Sequence, residues 1–453
     1  MKMGKNLYIK TFGCQMNERD SEIIEQLLAQ QGYIPTDSPE DADLVLVNTC
    51  SIRDKPEQKV YSLLGHLREA KARNPSLRIG VTGCVAQQEG VRIMERMPHV
   101  DLVVGTQQIY LLPMMLGRLE HGTGSGREIA TNLDAGFVIP AFQKLLRNSP
   151  PSPASPDFKR FVTIMQGCDN YCSYCVVPAT RGREISRPMV DIIEEVEILV
   201  DQGVREITLL GQNVNSYGRN SLGDGDGTTF TDLLRRVAGV RGVQRLRFTT
   251  SHPRDLSEDL MRCFAEIDIL CPHFHLPVQS GSNAVLQRMN RKYTVESYLR
   301  KVDTLRTFCP DIALATDVIV GFPGETEADF QATLDLLARV RFHGSFSFKY
   351  SDRPHTRSAA FVDKISEEVK SQRLARFQHL QDEVSLERNK EYIGKKMEVM
   401  VEECSTGGCK GRTPTNHVVH FAEPHHPALV PGVLVSVCIN HAGKHSLRGE
   451  YCQ

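Results

Sequence analysis

The sequence lacks any apolar run approaching the roughly 18 residues of a membrane span. Its first residues, MKMGKNLYIKTFGC, contain no apolar core and no small-residue cleavage site, so no secretory signal is expected. The expected compartment is therefore the reducing cytoplasm, with no membrane partner. Net charge is also scarce: 54 Lys and Arg face 55 Asp and Glu, leaving -1. Bulk charge thus lends no support to a nucleic-acid partner, which would need a local basic surface. No fixed-period repeat is visible, which argues against a solenoid. What remains is an ordinary globular composition, 40% hydrophobic and 24% charged, in a chain of 453 residues, long enough for several cored domains.

Against these absences the chain holds 13 cysteines. In a reducing compartment they argue for metal binding or catalysis over disulfides. Three of them, Cys168, Cys172 and Cys175, lie within the segment MQGCDNYCSYC in a C-x3-C-x2-C pattern.

Strand and helix patterns alternate through the first part of the chain. KNLYIKTFGC, DLVLVNTC, LRIGVTGC and VDLVVGT are β-branched apolar runs with helical stretches such as NERDSEIIEQLLAQQGY among them. This is the pattern of a parallel sheet with helices on its faces. Ligands bind such sheets along the edge formed by the carboxyl ends of the strands. Cys14, Cys50 and Cys84 each end a strand, in TFGC, NTC and TGC. The fold should bring them to one place; the alternative is three packing residues. SPPSPASP, residues 149–156, reads as an extended linker.

The alternation then restarts with six strand patterns: RFVTIMQGC, REITLLGQN, VQRLRFTTSHP, HFHLPVQSG, IALATDVIVGFPGE and FHGSFSFKYSD. They suit a partial β/α barrel with function at the carboxyl ends of its strands, and Cys168 ends the first. A long charged helical stretch leads toward Gly394. Beyond it KKMEVMVEEC, TNHVVHF and VLVSVCINHAG read as a small all-β module.

Thiolates bind zinc or iron–sulfur clusters. A structural zinc site is closed by four protein ligands, and no fourth Cys or His lies near CDNYCSYCVVPATRGRE. A [4Fe–4S] cube held by three cysteines leaves one iron open for a substrate or cofactor. The triplet, ending the first strand of a β/α barrel, resembles the radical S-adenosylmethionine (SAM) superfamily. In that family SAM binds the open iron and is cleaved to a 5′-deoxyadenosyl radical.

The resemblance runs along nearly the whole chain. Three strand-end cysteines, the triplet and a small β module resemble the radical SAM methylthiotransferase family. TFGCQMNERDSE, NTCSIRDKPEQKV, GVTGCVAQ, RGREISRP, LLGQNVNSYG, HLPVQSGS and TDVIVGFPGET resemble its MiaB-type, tRNA-acting branch. The SIR of Ser51 to Arg53 favours action on isopentenyl-adenosine. The alternatives are sister enzymes acting on threonylcarbamoyl-adenosine or on ribosomal protein S12, and a non-catalytic iron–sulfur or zinc protein that binds RNA.

The resemblance implies an α/β fold in three domains and a connection. These are an N-terminal parallel-sheet domain (1–122), a connection (123–156), a partial (β/α)6 TIM-like radical SAM barrel (157–388) and an all-β TRAM barrel that binds RNA (389–453). It implies two [4Fe–4S] clusters, an auxiliary one on Cys14, Cys50 and Cys84 and a radical SAM one on Cys168, Cys172 and Cys175. It implies two SAM molecules per turnover, with sulfur carried on the auxiliary cluster. Its partners would be tRNA bearing isopentenylated adenosine beside the anticodon, an electron donor such as flavodoxin or ferredoxin, and a sulfur donor.

Softer candidates lie at the other strand ends. Gln212, Asn213, Asp317 and Arg187 are expected toward SAM, with the Gly321 to Glu325 turn bordering its adenosyl group and Arg181 and Arg183 as further cations. Gln279 and Ser280 are expected toward the base. His273 and His275 share a strand face and read as packing or surface residues. Tyr8, Phe12 and Phe142 read as packing, and Cys404 and Cys409, flanking STGG, as free thiols. From Glu391 onward six Lys/Arg meet six Asp/Glu and six histidines, short of the net positive charge expected of an RNA-binding module.

Overall fold

The computed structural model describes residues 4–51, 54–122, 126–134, 136–148, 158–219, 227–405, 407–422 and 429–452. The SPPSPASP segment, the Ile52 and Arg53 of SIR and residues 123–125 lie outside them.

The first unit is a six-stranded, wholly parallel sheet in the order β2-β1-β3-β4-β5-β6. Its strands are β1 (Lys5–Thr11), β2 (Tyr33–Pro35), β3 (Leu44–Thr49), β4 (Arg78–Thr82), β5 (Leu102–Val104) and β6 (Glu128–Ala130). β6 comes from the stretch expected to be connection and pairs with β5. Helices α1 (Gln15–Ala29), α2 (Asp54–Arg73), α3 (Gly83–Glu89), α4 (Val91–Arg96) and α5 (Leu112–His121) cover the faces. Every residue of β3, LVLVNT, is buried, as a central parallel strand covered on both faces requires.

The second unit holds the six expected parallel strands in chain order. β7 (Lys159–Thr163), β10 (Glu206–Leu210) and β11 (Arg245–Thr249) form one sheet; β12 (His273–His275), β13 (Ala313–Val320) and β14 (Gly344–Lys349) form another. A parallel bridge between Leu246 and Leu270 joins them into a partial barrel. β8 (Met165–Gln166) and β9 (Ile185–Ser186) make a small ribbon around the cysteine loop and α7 (Val177–Thr180). Outside lie α8 (Met189–Asp201), α9 (Phe230–Ala238), α10 (Glu258–Glu266), α11 (Asn283–Arg288), α12 (Val295–Phe308) and α13 (Glu327–Val340). Thr229 with Asp232 and Thr326 with Asp329 cap α9 and α13 reciprocally, so local chemistry sets where these helices begin. α6 (Gln143–Asn148) packs on α8, and Phe142 before it is buried between the Arg19 and Arg187 guanidinium groups. One apolar core therefore runs from Leu7 and Ile24 through Phe142 into the barrel interior.

α14 (Glu367–Lys390) leads to a closed five-stranded barrel, β15 (Lys396–Ser405), β16 (Gly408–Arg412), β17 (Val418–Ala422), β18 (Leu434–Ala442) and β19 (Ser446–Tyr451). Closure removes the open edges of a small sheet. It docks on the amino-terminal side of the large barrel. Arg245 donates to Arg412 O and Glu398 Oε1, Arg247 to the Thr413 and Pro414 carbonyls, and Lys159 to Glu402.

Candidate active site

Cys14 is the N-cap of α1, and its carbonyl accepts from Asn17 N and Glu18 N. Cys84 sits in the first turn of α3, and Cys50 directly follows β3. Parallel register makes these strand ends neighbours, with Thr49 bridged to Gly83. Gly83 has φ +87, and a Cβ there would stand 2.4 Å from Thr49 O; the close approach of the two strand ends requires glycine. The three thiols share one cradle. A hydrogen bond from the Cys50 thiol, the Arg181 charge and N–H groups at the start of α1 bring the Cys14 thiol down to about 6 against the opposing effect of burial. Burial pushes the Cys84 thiol up, and the Arg181 charge opposes it.

Cys168, Cys172 and Cys175 occupy a single loop between β8 and α7. Gly167 turns the chain into that loop at φ +82, where a Cβ would meet Arg183 O at 1.9 Å. Cys168 N donates to Gly182 O at 3.3 Å, Cys175 N to Cys172 O, and Ser173 N to Met289 O. Burial pushes the Cys168 thiol up to about 11, and burial with the Cys172 charge pushes Cys175 up to about 12. Such thiols ionise only against strong positive charge, which a metal centre supplies. Arg291, buried, donates to the Cys172 sulfur at 3.4 Å and to Pro277 O at 2.9 Å. Among the described residues no three His, Cys, Asp or Glu side chains converge as ligands of a single metal ion. The three thiolates of a cubane bind three different irons and do not converge.

Around this loop the ends of β7, β10, β11 and β12 present buried polar atoms with no hydrogen-bond partner. Among them are Asn170 Oδ1, Glu184 Oε1, Asn213 Oδ1, Ser251 Oγ, His252 Nε2 and Gln279 Oε1. Buried polar atoms are rarely left unpaired without a ligand or water. A zwitterionic, hydroxyl-rich molecule such as SAM fits this set. Burial, with the Asp169 and Asp255 charges, raises the Glu184 carboxyl to about 7, although Ser216 Oγ donates to it at 2.7 Å. Burial and the Arg291 charge hold His252 neutral, down to about 2. Its Nδ1 accepts from Arg254 N, which places the proton on the unpartnered Nε2.

The expected residues fall into distinct positions. Asn213 faces this cluster and donates to Asp255 Oδ2 at 2.7 Å. Gln212 Oε1 accepts from Gly167 N at 2.6 Å and so supports the cysteine loop. Asp317 accepts from His275 Nε2 at 2.9 Å. Gln279, at φ +71, keeps its side-chain oxygen buried without a hydrogen-bond partner; Ser280 is fully buried against Thr333 of α13. Arg187, fully buried, donates to Thr163 O at 2.6 Å and pairs with Glu195 at 2.7 Å. Glu195 also binds Arg19 of α1, so this cluster ties the sheet unit to the barrel. Arg181 makes a second tie, to Asp20. Arg183 is exposed beside Asp169. Glu325 accepts from Gly321 N and pairs with Arg373, closing its own turn.

Asn170, Glu184, Ser251, His252 and Arg291 were not singled out by sequence. Ser251 and His252 follow β11 as Gln212 and Asn213 follow β10, so the strand-end rule was a usable signal for them.

In the small barrel one correction is needed. Cys404 and Cys409 are not free: they stand opposite each other in the β15–β16 register, 4.1 Å apart at Cα, and form a disulfide. Cys438 and Cys452 form the second pair. Lys410, His420, Arg448 and His441 form a row across β16, β17, β19 and β18, while Arg412 pairs with Glu402 and Lys444 with Asp382.

The comparisons with known proteins agree with this geometry. Residues 162–337 match the Radical SAM superfamily, and residues 6–105 match a family described as uncharacterized protein family UPF0004. The protein is a radical SAM enzyme carrying an added N-terminal sheet domain; SAM and a [4Fe–4S] cluster come with that superfamily. A tRNA-2-methylthio-N(6)-dimethylallyladenosine synthase of Desulfotalea psychrophila is 56% identical over 98% of this chain and 98% of its own length. One of Geobacter sulfurreducens is 49% identical over 99% and 98%. The chain belongs to the tRNA-2-methylthio-N(6)-dimethylallyladenosine synthase family. Its fold is similar to that of TsrM, a radical SAM methyltransferase of Kitasatospora setae, with TM-score 0.56 and 16% identity over 79% of this chain and 75% of that one. The cobalamin-dependent radical enzyme OxsB gives TM-score 0.52 at 12% identity over 83% and 56%.

Proposed function

We propose that this chain replaces the hydrogen on C2 of N6-isopentenyl-adenosine, beside the anticodon of tRNA, with a methylthio group. The observation that carries the reading is the pair of three-thiol cradles, each at the carboxyl edge of a parallel sheet, in a chain 56% identical to a synthase of that name. The barrel triplet would hold the cluster that binds SAM; Cys14, Cys50 and Cys84 would hold a second cluster and the transferred sulfur. Together these groups supply hydrogen abstraction by a 5′-deoxyadenosyl radical and delivery of methylated sulfur.

The chain's own residues position the reactants. Gln212 braces the cysteine loop through Gly167 N. Asn213, Glu184, Ser251 and His252 meet the polar groups of SAM with atoms that otherwise lack partners. Glu184, neutral up to about pH 7, offers a proton donor or an acceptor as the ligand requires. Gln279 Oε1, buried and without a hydrogen-bond partner, supports a contact of this residue to the adenine edge. The C2–H of adenine is not acidic, so no side-chain base is called for. The row of Lys410, His420, Arg448 and His441, which continues to Glu403 on β15, offers two fixed cations and two imidazoles to a phosphate backbone. Electrons and replacement sulfur come from separate donors, and the reaction takes place in the cytoplasm. Among the described residues no helix is long and apolar enough to cross a membrane.

The test is mass spectrometry of tRNA nucleosides from cells with and without the gene. Loss of 2-methylthio-N6-isopentenyladenosine is expected. Loss of the methylthio group from threonylcarbamoyl-adenosine or from ribosomal protein S12 instead would replace this reading by a sister activity.

A further inference from the structure

Arg181 belongs to both cradles. Its main chain is part of the barrel's cysteine loop: Arg181 N donates to Val177 O at 2.7 Å, Arg181 O accepts from Gln166 Nε2, and the next carbonyl, Gly182 O, accepts from Cys168 N. Its side chain leaves the barrel and enters the N-terminal unit. Only 3% of the residue is exposed. Nη2 donates to Asp20 Oδ2 at 2.6 Å, and Asp20 lies on α1, the helix that Cys14 caps. Nη1 is buried with no hydrogen-bond partner of proper geometry. α7, which Arg181 C-caps, packs against α3, the helix that carries Cys84. A neighbouring contact, from Thr106 Oγ1 to Thr180 O at 2.6 Å, holds this segment against the sheet edge.

We infer that Arg181 is a positioning residue that sets the charge balance of the N-terminal cysteine centre while anchoring it to the barrel's cysteine loop. Three thiolates and a bound sulfur concentrate negative charge in a dry site. One fixed cation with an unspent N–H beside them stabilises the more reduced, more negative state and orients the sulfur ligands. Asp20 holds that cation in place and offsets part of its charge. The inference rests on the reading that Cys14, Cys50 and Cys84 carry a cluster.

The test uses the full-length protein with Cys168, Cys172 and Cys175 changed to alanine, reconstituted anaerobically so that only the N-terminal centre contributes. Iron is counted, and the midpoint potential is followed by electron paramagnetic resonance. About four irons per chain are expected. In this background Arg181→Gln should move the potential negative, and Asp20→Asn should move it positive. Arg181→Lys, which keeps the charge, should stay near the parent. Opposite signs are the signature of charge; a merely structural tie predicts that both variants lose iron or drift the same way. Unchanged potentials, shifts of the same sign, or equal iron loss in both variants would overturn the role of Arg181. If the parent protein binds no iron, the second-cluster reading fails and the Arg181 inference falls with it.

Discussion

The two cysteine cradles are built by opposite routes. In the barrel Cys168, Cys172 and Cys175 share one loop, so their spacing is a property of a few consecutive residues. In the sheet unit Cys14, Cys50 and Cys84 come from three strands and meet only because parallel pairing aligns the strand ends. Each cradle has one buried arginine, but from different sources. Arg291 reaches Cys172 from within the barrel, whereas Arg181 reaches Asp20, on the helix that Cys14 caps, from another domain. The local cradle is thus self-contained, and the distributed one depends on docking between units.

The largest effect should come from the local cradle. Cys172→Ala removes a ligand that no neighbour replaces, and SAM cleavage to deoxyadenosine should fall at least about a hundredfold. Retained cleavage would erase the distinction between the cradles. Cys50→Ala should sharpen it: iron content falls by about half, methylthiolated tRNA disappears, and uncoupled deoxyadenosine is still formed. Unchanged iron and full methylthiolation would show that the sheet cysteines are packing residues, where loss of a thiol costs only about 1 kcal/mol.

The two glycines probe the same contrast more gently. Gly167→Ala and Gly83→Ala each force a left-handed residue against a carbonyl, at 1.9 and 2.4 Å, and each should cost about 2–4 kcal/mol of local stability. Gly167→Ala should lower SAM cleavage, and Gly83→Ala the methylthiolated product alone. Anaerobic assays of both products on the same preparations decide this.

The smallest effect concerns carboxylates. Asp20 is ion-paired with Arg181, whereas Glu184 is hydrogen-bonded to neutral Ser216 and its carboxyl is raised to about 7. A raised carboxyl favours folding while protonated. Its contribution is complete below the ordinary value of 4.5 and is lost as pH rises through about 7. Glu184→Gln, a permanently neutral replacement, should therefore leave the Tm of the SAM-free protein near wild type at pH 4.5 and raise it by about 2–4 °C at pH 8. A Tm difference that does not change with pH would show that Glu184 is already ionised in the fold.

Much of this was legible in the chain. Unbroken apolar runs such as LVLVNT and LRIGVTGC specify buried parallel strands, and parallel order places every strand end on one edge. The six cysteines could be assigned to two sites on that ground. The neighbours of those cysteines were less legible. Gln212 and Asn213 are adjacent in sequence, yet one braces the loop and the other lines the mouth, because their side chains leave the backbone in different directions at a strand end. Ser280, expected toward the base, is packed against α13, whose position depends on the whole barrel. Cys404 and Cys409 were expected as thiols from the compartment; strand register makes them a pair.

By itself, then, the sequence determined the alternation of strands and helices, the two sets of three thiols and the family to which the chain belongs, because periodicity and short motifs are properties of neighbouring residues. Only the tertiary structure decided which arginine serves which cradle. Arg181 and Asp20 are 161 residues apart, and Arg19 and Glu195 are 176 apart. Nothing in local propensity links such groups. They meet because one apolar core closes the sheet unit onto the barrel, and burial then makes it costly for either charge to remain without its partner.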